Sequence, residues 1–243
     1  MKHFHLPKPL RGWREFAGEV GVIVLGVLIA LICEQIAQSW DWKHKAAAAI
    51  NDMQSEYGGD DGPQAYTRVS IHDCLDARYS ELREAVVTRD GPATRAALAT
   101  IDLPGRSYDK QAFEGATAAG VIPHVDFARW REIRALYSTV PDLNSLAQSE
   151  RMLLAELRAI SPDADQLDAS ARFSTLRAIE QLREINNGIE SAAYFMMQRP
   201  QDAGFSLERA PLNSERQAFA SNWGRCMIDP ATLKSNESRI YAR

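Results

Sequence analysis

The chain has 243 residues, with 28 Lys and Arg against 32 Asp and Glu and a formal net charge of -4 at pH 7. A mildly acidic chain with no basic block lacks the electrostatic footprint of a nucleic-acid binder, so no nucleic-acid partner is expected. With an amino-terminal arm and an apolar stretch set aside, about 200 residues remain, enough for one domain with its own core.

The arm, residues 1–15, reads MKHFHLPKPLRGWRE and carries Lys2, Lys8, Arg11 and Arg14 against one acid. His3 and His5 lie on this Pro-containing segment with no further ligands nearby, so they read as a solvated tail rather than a metal site. Residues 16–38 follow as FAGEVGVIVLGVLIALICEQIAQ and read as one transmembrane helix. Its uncharged part, Val20 to Cys33, supplies about 21 Å of helix, short of a bilayer core of roughly 30 Å. The ends complete the span, with Glu19 and Glu34 near the two interfaces, where a carboxylate stays hydrated at modest cost. Trp13 on one side and Trp40 and Trp42 on the other read as interface anchors, separated by about 40 Å of helix. A cleaved signal is disfavoured. Gln35 holds the minus-three position before Ala37, and Ile32 precedes Cys33, where processing needs small side chains. The arm is more basic than the far flank, where Lys43 and Lys45 face Asp41, so the positive-inside rule puts the amino end in the cytoplasm and the large domain outside.

At 100° per residue, Glu19, Ile23, Gly26, Ala30, Cys33, Glu34 and Ala37 share one face of this helix. Gly26 and Ala30 are spaced as a small-xxx-small pair, which lets two helix backbones approach closely in lipid. The face reads as a docking seam toward another integral membrane protein or a second copy. The competing reading is ordinary membrane-helix composition.

Residues 39–243 read as an all-α domain continuing from the anchor. Ser39 to Tyr57 is helical, and Gly58 to Pro63 (GGDDGP) reads as a break, with Asp60 and Asp61 in a solvated turn. Gln64 to Arg89 is amphipathic through Val69, Leu75, Tyr79, Leu82 and Val86. Breaks at Asp90-Gly91-Pro92 and Leu103-Pro104-Gly105 bound a short helix, Ala93 to Ile101, and precede another, Tyr108 to Ala119. A helix from Val125 to Ser138 turns Phe127, Trp130, Ile133, Leu136 and Tyr137 inward. Pro141 suits the first turn of Asp142 to Ile160, whose core stripe is Leu143, Leu146, Leu153, Leu154 and Leu157. Gln166 to Gln198 is the longest run, using Phe173, Leu176, Ile179, Leu182, Ile185, Ile189 and Phe195, with a kink or break expected at Asn186-Asn187-Gly188. A loop from Arg199 to Pro211 precedes a last helix, Ser214 to Trp223, and Asn236 to Arg243 reads as frayed.

With Cys33 in lipid, Cys74 and Cys226 are the two thiols of the domain. In an oxidising compartment they are expected to pair across a loop of about 150 residues; in a reducing one they are unrelated buried thiols.

Motifs of the HExxH, CxxC, GxSxG, Walker and GxGxxG types are absent, and no catalytic residue, metal or cofactor is expected. His124 with Asp126 fits helix capping better than acid-base work. Asp163, Asp165 and Asp168 lack the Gly and distal Glu of a calcium loop, and Tyr194 to Met197 reads as core packing before it reads as a ligand pocket.

The stretches Trp13 to Trp40 and Phe113 to Leu143, FEGATAAGVIPHVDFARWREIRALYSTVPDL, resemble an uncharacterised family of proteobacterial single-pass membrane proteins. The resemblance implies a bacterial inner membrane and a periplasmic helical domain, and carries no activity. The expectation is therefore a non-catalytic accessory or scaffold subunit of a membrane assembly. The alternative is a periplasmic, sensor-like helical module binding a small molecule, for which an apolar internal cavity is the mark.

Overall fold

The computed structural model describes residues 12–104 and 107–227, apart from the side chains of Arg14 and Glu15. The expectations for residues 1–11, with His3 and His5, for Gly105 and for Asn236 to Arg243 lie outside the described residues. All regular structure among those described is helical, with no strand.

Helix α1, Trp13–Glu56, runs into a π-helical turn, Tyr57–Asp61, and then directly into α2, Gly62–Thr88. From Phe16 to Thr88 the helical path is continuous for 73 residues. The break expected at GGDDGP does not occur. Pro63 lies in the first turn of α2, and the wider π turn before it accommodates both its missing N–H and its ring. The glycines serve close approach rather than turning. A Cβ on Gly58 would stand 3.0 Å from the Ser206 carbonyl oxygen and 3.1 Å from Glu208 Cγ, and one on Gly62 would run into Leu207. The same strap is held by Gln54, which donates to the Ser206 carbonyl at 2.8 Å and accepts from the Ser206 N–H at 2.9 Å. Asp61, expected in a solvated turn, is buried.

Around this rod lie α3 (Gly91–Thr100), α4 (Gln111–Ala118), a 3-10 turn (Ile122–His124), α5 (Phe127–Tyr137), α6 (Val140–Ala159), α7 (Ala169–Ala203) and α8 (Arg209–Trp223). Side-chain caps start three of them: Asp90 accepts from Ala93 N–H, Asp126 from Arg129 N–H and Asp168 from Ala171 N–H. The contacts fix direction. Tyr137 at the end of α5 reaches the Met53 carbonyl, Glu150 of α6 reaches Arg68 and Tyr79, and Arg158 reaches Ile101, so α5 and α6 climb away from the apolar end of the rod. Helix α7 returns antiparallel to α2, Glu180 pairing with Arg83, Arg183 with Asp76, and Asn187 with His72.

The break expected at Asn186–Gly188 is likewise absent, because weak helix formers there serve the interface. Asn186 donates to the His72 carbonyl at 3.2 Å, Asn187 meets His72 Nε2 at 3.0 Å, and Gly188 makes room for Leu146. Helix α7 also runs through Pro200 to Ala203, past the expected loop start at Arg199. It stops at Gly204, which takes φ +73°, while Phe205 N–H closes on the Pro200 carbonyl at 2.6 Å. Two expected core residues are instead exposed: Phe127 at 79% and Phe173 at 68%.

Two apolar clusters stack along the rod. The nearer holds Met53, Tyr57, Tyr66, Ile133, Leu143 and Met196; the farther holds Leu75, Tyr79, Leu154, Ile179, Leu182 and Trp223. Trp223 is fully buried, donates from Nε1 to the Asp102 carbonyl at 3.0 Å, and is covered by Arg78 at 3.6 Å from its ring centre. Beside it Cys74 and Cys226 form a disulfide with a sequence separation of 152. Replacing both with Ser should lower unfolding stability by up to about 5 kcal/mol in the chain-entropy model. Denaturant melts of the two proteins in the same detergent measure it; equal midpoints would deny the bridge that role.

Candidate functional site

Two features stand out for function: the outward face of α1, and a polar layer through the core. Along α1, the stretch from Phe16 onward is long and apolar enough to cross a membrane, and none of its most apolar window is buried against the rest of the chain. The docking-face residues Glu19, Ile23, Gly26, Ala30, Cys33, Glu34 and Ala37 are all exposed. Among the described residues, nothing beyond the adjoining backbone of α1 lies within 4 Å of where a Cβ on Gly26 would stand, and Cys33 is a free thiol. The face thus remains continuous and unoccupied by the chain's own domain. Glu34, one of its two carboxylates, accepts from Gln38 Nε2 at 3.2 Å one turn on, so it already has a donor along its own helix.

The expected interface anchors differ in environment. Trp13 and Trp40 are exposed, whereas Trp42 packs against the domain: its ring stacks on His124 at 4.4 Å between centroids and 10° between planes, with Lys45 Nζ 4.9 Å from its centre. His124 is therefore engaged by a ring, and Asp126 by the α5 cap, which is the capping role expected over catalysis. Asp165 pairs with Arg95 at 2.7 Å and Asp168 caps α7, so these two carboxylates of the acidic run are engaged in loop and helix contacts. Among the described residues no group of three or more His, Cys, Asp or Glu is placed to hold a metal ion. Tyr194 and Met196 enter the core, as expected.

The polar layer was not foreseen. Between the two apolar clusters, α2 contributes Arg68 and His72, α6 Glu150, α7 Asn186 and α8 Glu215, all buried at one level of the bundle. Arg68 Nη2 donates to Glu150 Oε1 at 2.8 Å, and Tyr79 donates its hydroxyl to the same oxygen at 3.3 Å. Arg68 is 6% and Glu150 2% exposed. Burial works against the Arg68 charge, but the charge and hydrogen bond of Glu150 outweigh it and hold the guanidinium above its usual range. Residues 61–72 are buried on every side of the helix, although polar residues at helical spacing there read as a solvated face.

Next to the layer, at the π turn, burial pushes the Asp61 carboxyl up to about 8. The Asp109 N–H, which donates to Asp61 Oδ1 at 2.9 Å, offsets part of this, while the charges of Glu56, Asp109 and Asp60 add to the rise. Burial also raises the phenols of Tyr57, Tyr79 and Tyr108, keeping them protonated. These groups are buried inside the bundle. The surface clefts are of another kind. The one between Lys43, Ile50 and Gln54 of the rod and His124, Arg129 and Gly204, about 420 Å³, opens to solvent and mixes charged with apolar walls.

No family model, curated protein or solved structure matches the chain.

Two outcomes follow from the layer. Glu150→Ala strands the Arg68 charge in the interior and should cost about 3–5 kcal/mol, whereas a paired change of Arg68 to Met and Glu150 to Leu should recover most of it; equilibrium unfolding measures both. Because the folded Asp61 keeps its proton from its ordinary 3.8 up to about 8, while the unfolded chain gives it up, stability falls as pH rises through that window and levels off above it. Asp61→Asn should remove that slope, so the variant gains on the wild type with rising pH; parallel melt curves from pH 4 to 8.5 would refute the assignment.

Proposed function

We propose that residues 16–38 cross the bacterial inner membrane with the arm in the cytoplasm and the helical domain in the periplasm. On this reading the chain is a non-catalytic accessory or scaffold subunit of a membrane assembly. It docks through Glu19, Ile23, Gly26, Ala30, Cys33, Glu34 and Ala37 to another integral membrane protein or to a second copy.

One observation carries the reading: an apolar helix with none of its most apolar window buried against its own chain, joined without a break to the core of a folded domain. In water such a row of exposed Val, Leu and Ile side chains is untenable; in lipid it is the ordinary condition of an anchor. The disulfide supports an oxidising compartment for the domain. The resemblance of Trp13 to Trp40 and of Phe113 to Leu143 to proteobacterial single-pass proteins supports the bacterial membrane. The burial of the titratable cluster supports a structural role over a catalytic one. A lipid-facing helix that is stiffly coupled to a domain suits a part that holds something at a fixed height above the bilayer. The small-molecule alternative calls for an enclosed apolar cavity, and the rod-side cleft is open and partly charged.

Gly26→Leu with Ala30→Leu fills the close-approach face without touching the domain. Purified from membranes in mild detergent, the double variant should lose its co-purifying partner, or its self-crosslinked dimer, while Leu28→Phe on the opposite side keeps it. Unchanged co-purification of the double variant would dismiss the docking face.

A further inference from the structure

We infer that the domain touches the same bilayer a second time, through the turn Ile122–His124 and Phe127 at the start of α5, which rest on the lipid headgroup layer beside the anchor. The inference rests on the membrane-spanning reading of α1.

Position is the first argument. His124 stacks on Trp42, so the turn stands at the Trp42 level of the rod. Helix α5 climbs from Phe127 to Tyr137, whose hydroxyl donates to the Met53 carbonyl. At 1.5 Å per residue that helix is about 15 Å long, which puts Phe127 near the Trp42–Lys43 level as well. Helix α4 descends toward the same place, from Ala112, whose N–H donates to Glu56 Oε2 at 2.8 Å, to the turn at Gly120. By contrast, the return from α7 into α8 is strapped to the rod higher up, at Gln54 and Gly58. Among the described residues, the turn and Phe127 are thus the part of the domain closest to the apolar stretch.

Composition is the second. From Gly115 to Ala128 the chain reads GATAAGVIPHVDFA, in which Asp126 is the single formal charge, and its carboxylate is engaged with the Arg129 N–H. Phe127, 79% exposed, projects from this uncharged tip, and exposed Pro123 and His124 lie beside it. Lys43, Arg129 and Arg131 stand around it, Arg129 donating to the Ala203 carbonyl at 2.8 Å and Arg131 pairing with Glu132 at 2.9 Å while 68% exposed, so that Lys43 and Arg131 still face outward where lipid phosphates would lie. An aromatic side chain amid small apolar residues with cations behind it suits a membrane interface.

Height is the third. Trp42 is about 9 Å along the helix beyond Ile36, and the headgroup layer is roughly 5 to 7 Å deep on each side of the hydrocarbon. An ordinary anchor tilt of about 20° lowers a group standing about 10 Å to the side of the axis by roughly 3 Å. That brings the turn into the layer. Phe173, bare at 68%, lies at the start of α7, at the far end of the bundle from the anchor.

The test uses the full chain in vesicles of phosphatidylcholine and phosphatidylglycerol, with an environment-sensitive fluorophore on one introduced thiol at a time. The sites are Phe127→Cys and Phe173→Cys, each in a Cys33→Ser background, and native Cys33 in a third sample. The expected result is a blue shift and several-fold stronger quenching by headgroup-attached spin labels at position 127 than at 173, with Cys33 quenched by chain-attached labels. If 127 and 173 behave alike while Cys33 is quenched, the second contact is refuted and the anchor stands. If Cys33 escapes quenching, the spanning reading itself fails. A blue shift at 127 that appears only at high protein-to-lipid ratio, without lipid quenching, would assign the surface to a second copy and overturn the inference.

Discussion

The structure depends on the chain's passage through Tyr57–Pro63 without a break. A helix that carries three glycines, two aspartates and a proline within seven residues is kept continuous by what surrounds it. The π turn absorbs the proline, Gly58 and Gly62 let the Ser206–Glu208 strap press against the backbone, and Gln54 ties that strap down with two hydrogen bonds. Because this passage is buried and closed, α1 enters the domain as one of its own core helices. The apolar stretch is joined to the bundle by unbroken helix, a connection that suits the scaffold role proposed above.

Above that passage the polar layer does a second job. Apolar surfaces are indifferent to small slips along a helix axis, since one Leu row packs nearly as well as the next. A buried Arg68 that must meet Glu150, with His72 meeting Asn187 a turn higher, tolerates no such slip. The layer therefore ties α2, α6 and α7 to one axial register, and the disulfide beside Trp223 closes the distal end of the bundle.

Helical class, the main helix runs, the Asp126 cap and the pairing of Cys74 with Cys226 were legible because each has a local signature: period, breaker, cap, thiol count. What failed were the breakers that tertiary packing overrides. Gly58–Pro63 and Asn186–Gly188 have turn chemistry, but their small or amide side chains are used for contact between helices, and single-sequence reasoning has no sight of the partner surface. Phe127 and Phe173 fit the inward stripe by spacing yet point outward, since each lies in the first turns of its helix, beyond the reach of the core. The polar layer was invisible for the opposite reason. Arg, Glu, Asn and His at helical spacing read as a solvated face unless the pairing across 82 residues from Arg68 to Glu150 is known. Of the candidate docking face, the residues and their alignment were readable, while Glu34's own-helix donor was not.

A further consequence lies in the short stretch of α1 between Ala37 and Trp42. Every residue in a helix advances the next by about 100° around the axis, so the count of residues between Gly26 and Trp42, which stacks on His124 of the domain, determines the compass bearing at which the small-residue groove looks out beneath the bundle. Deleting a single residue there would leave the helix above and below intact, yet swing the groove by more than a quarter of a circle. The aim of the lower helix is thus encoded in residues that belong to neither of the two surfaces they align.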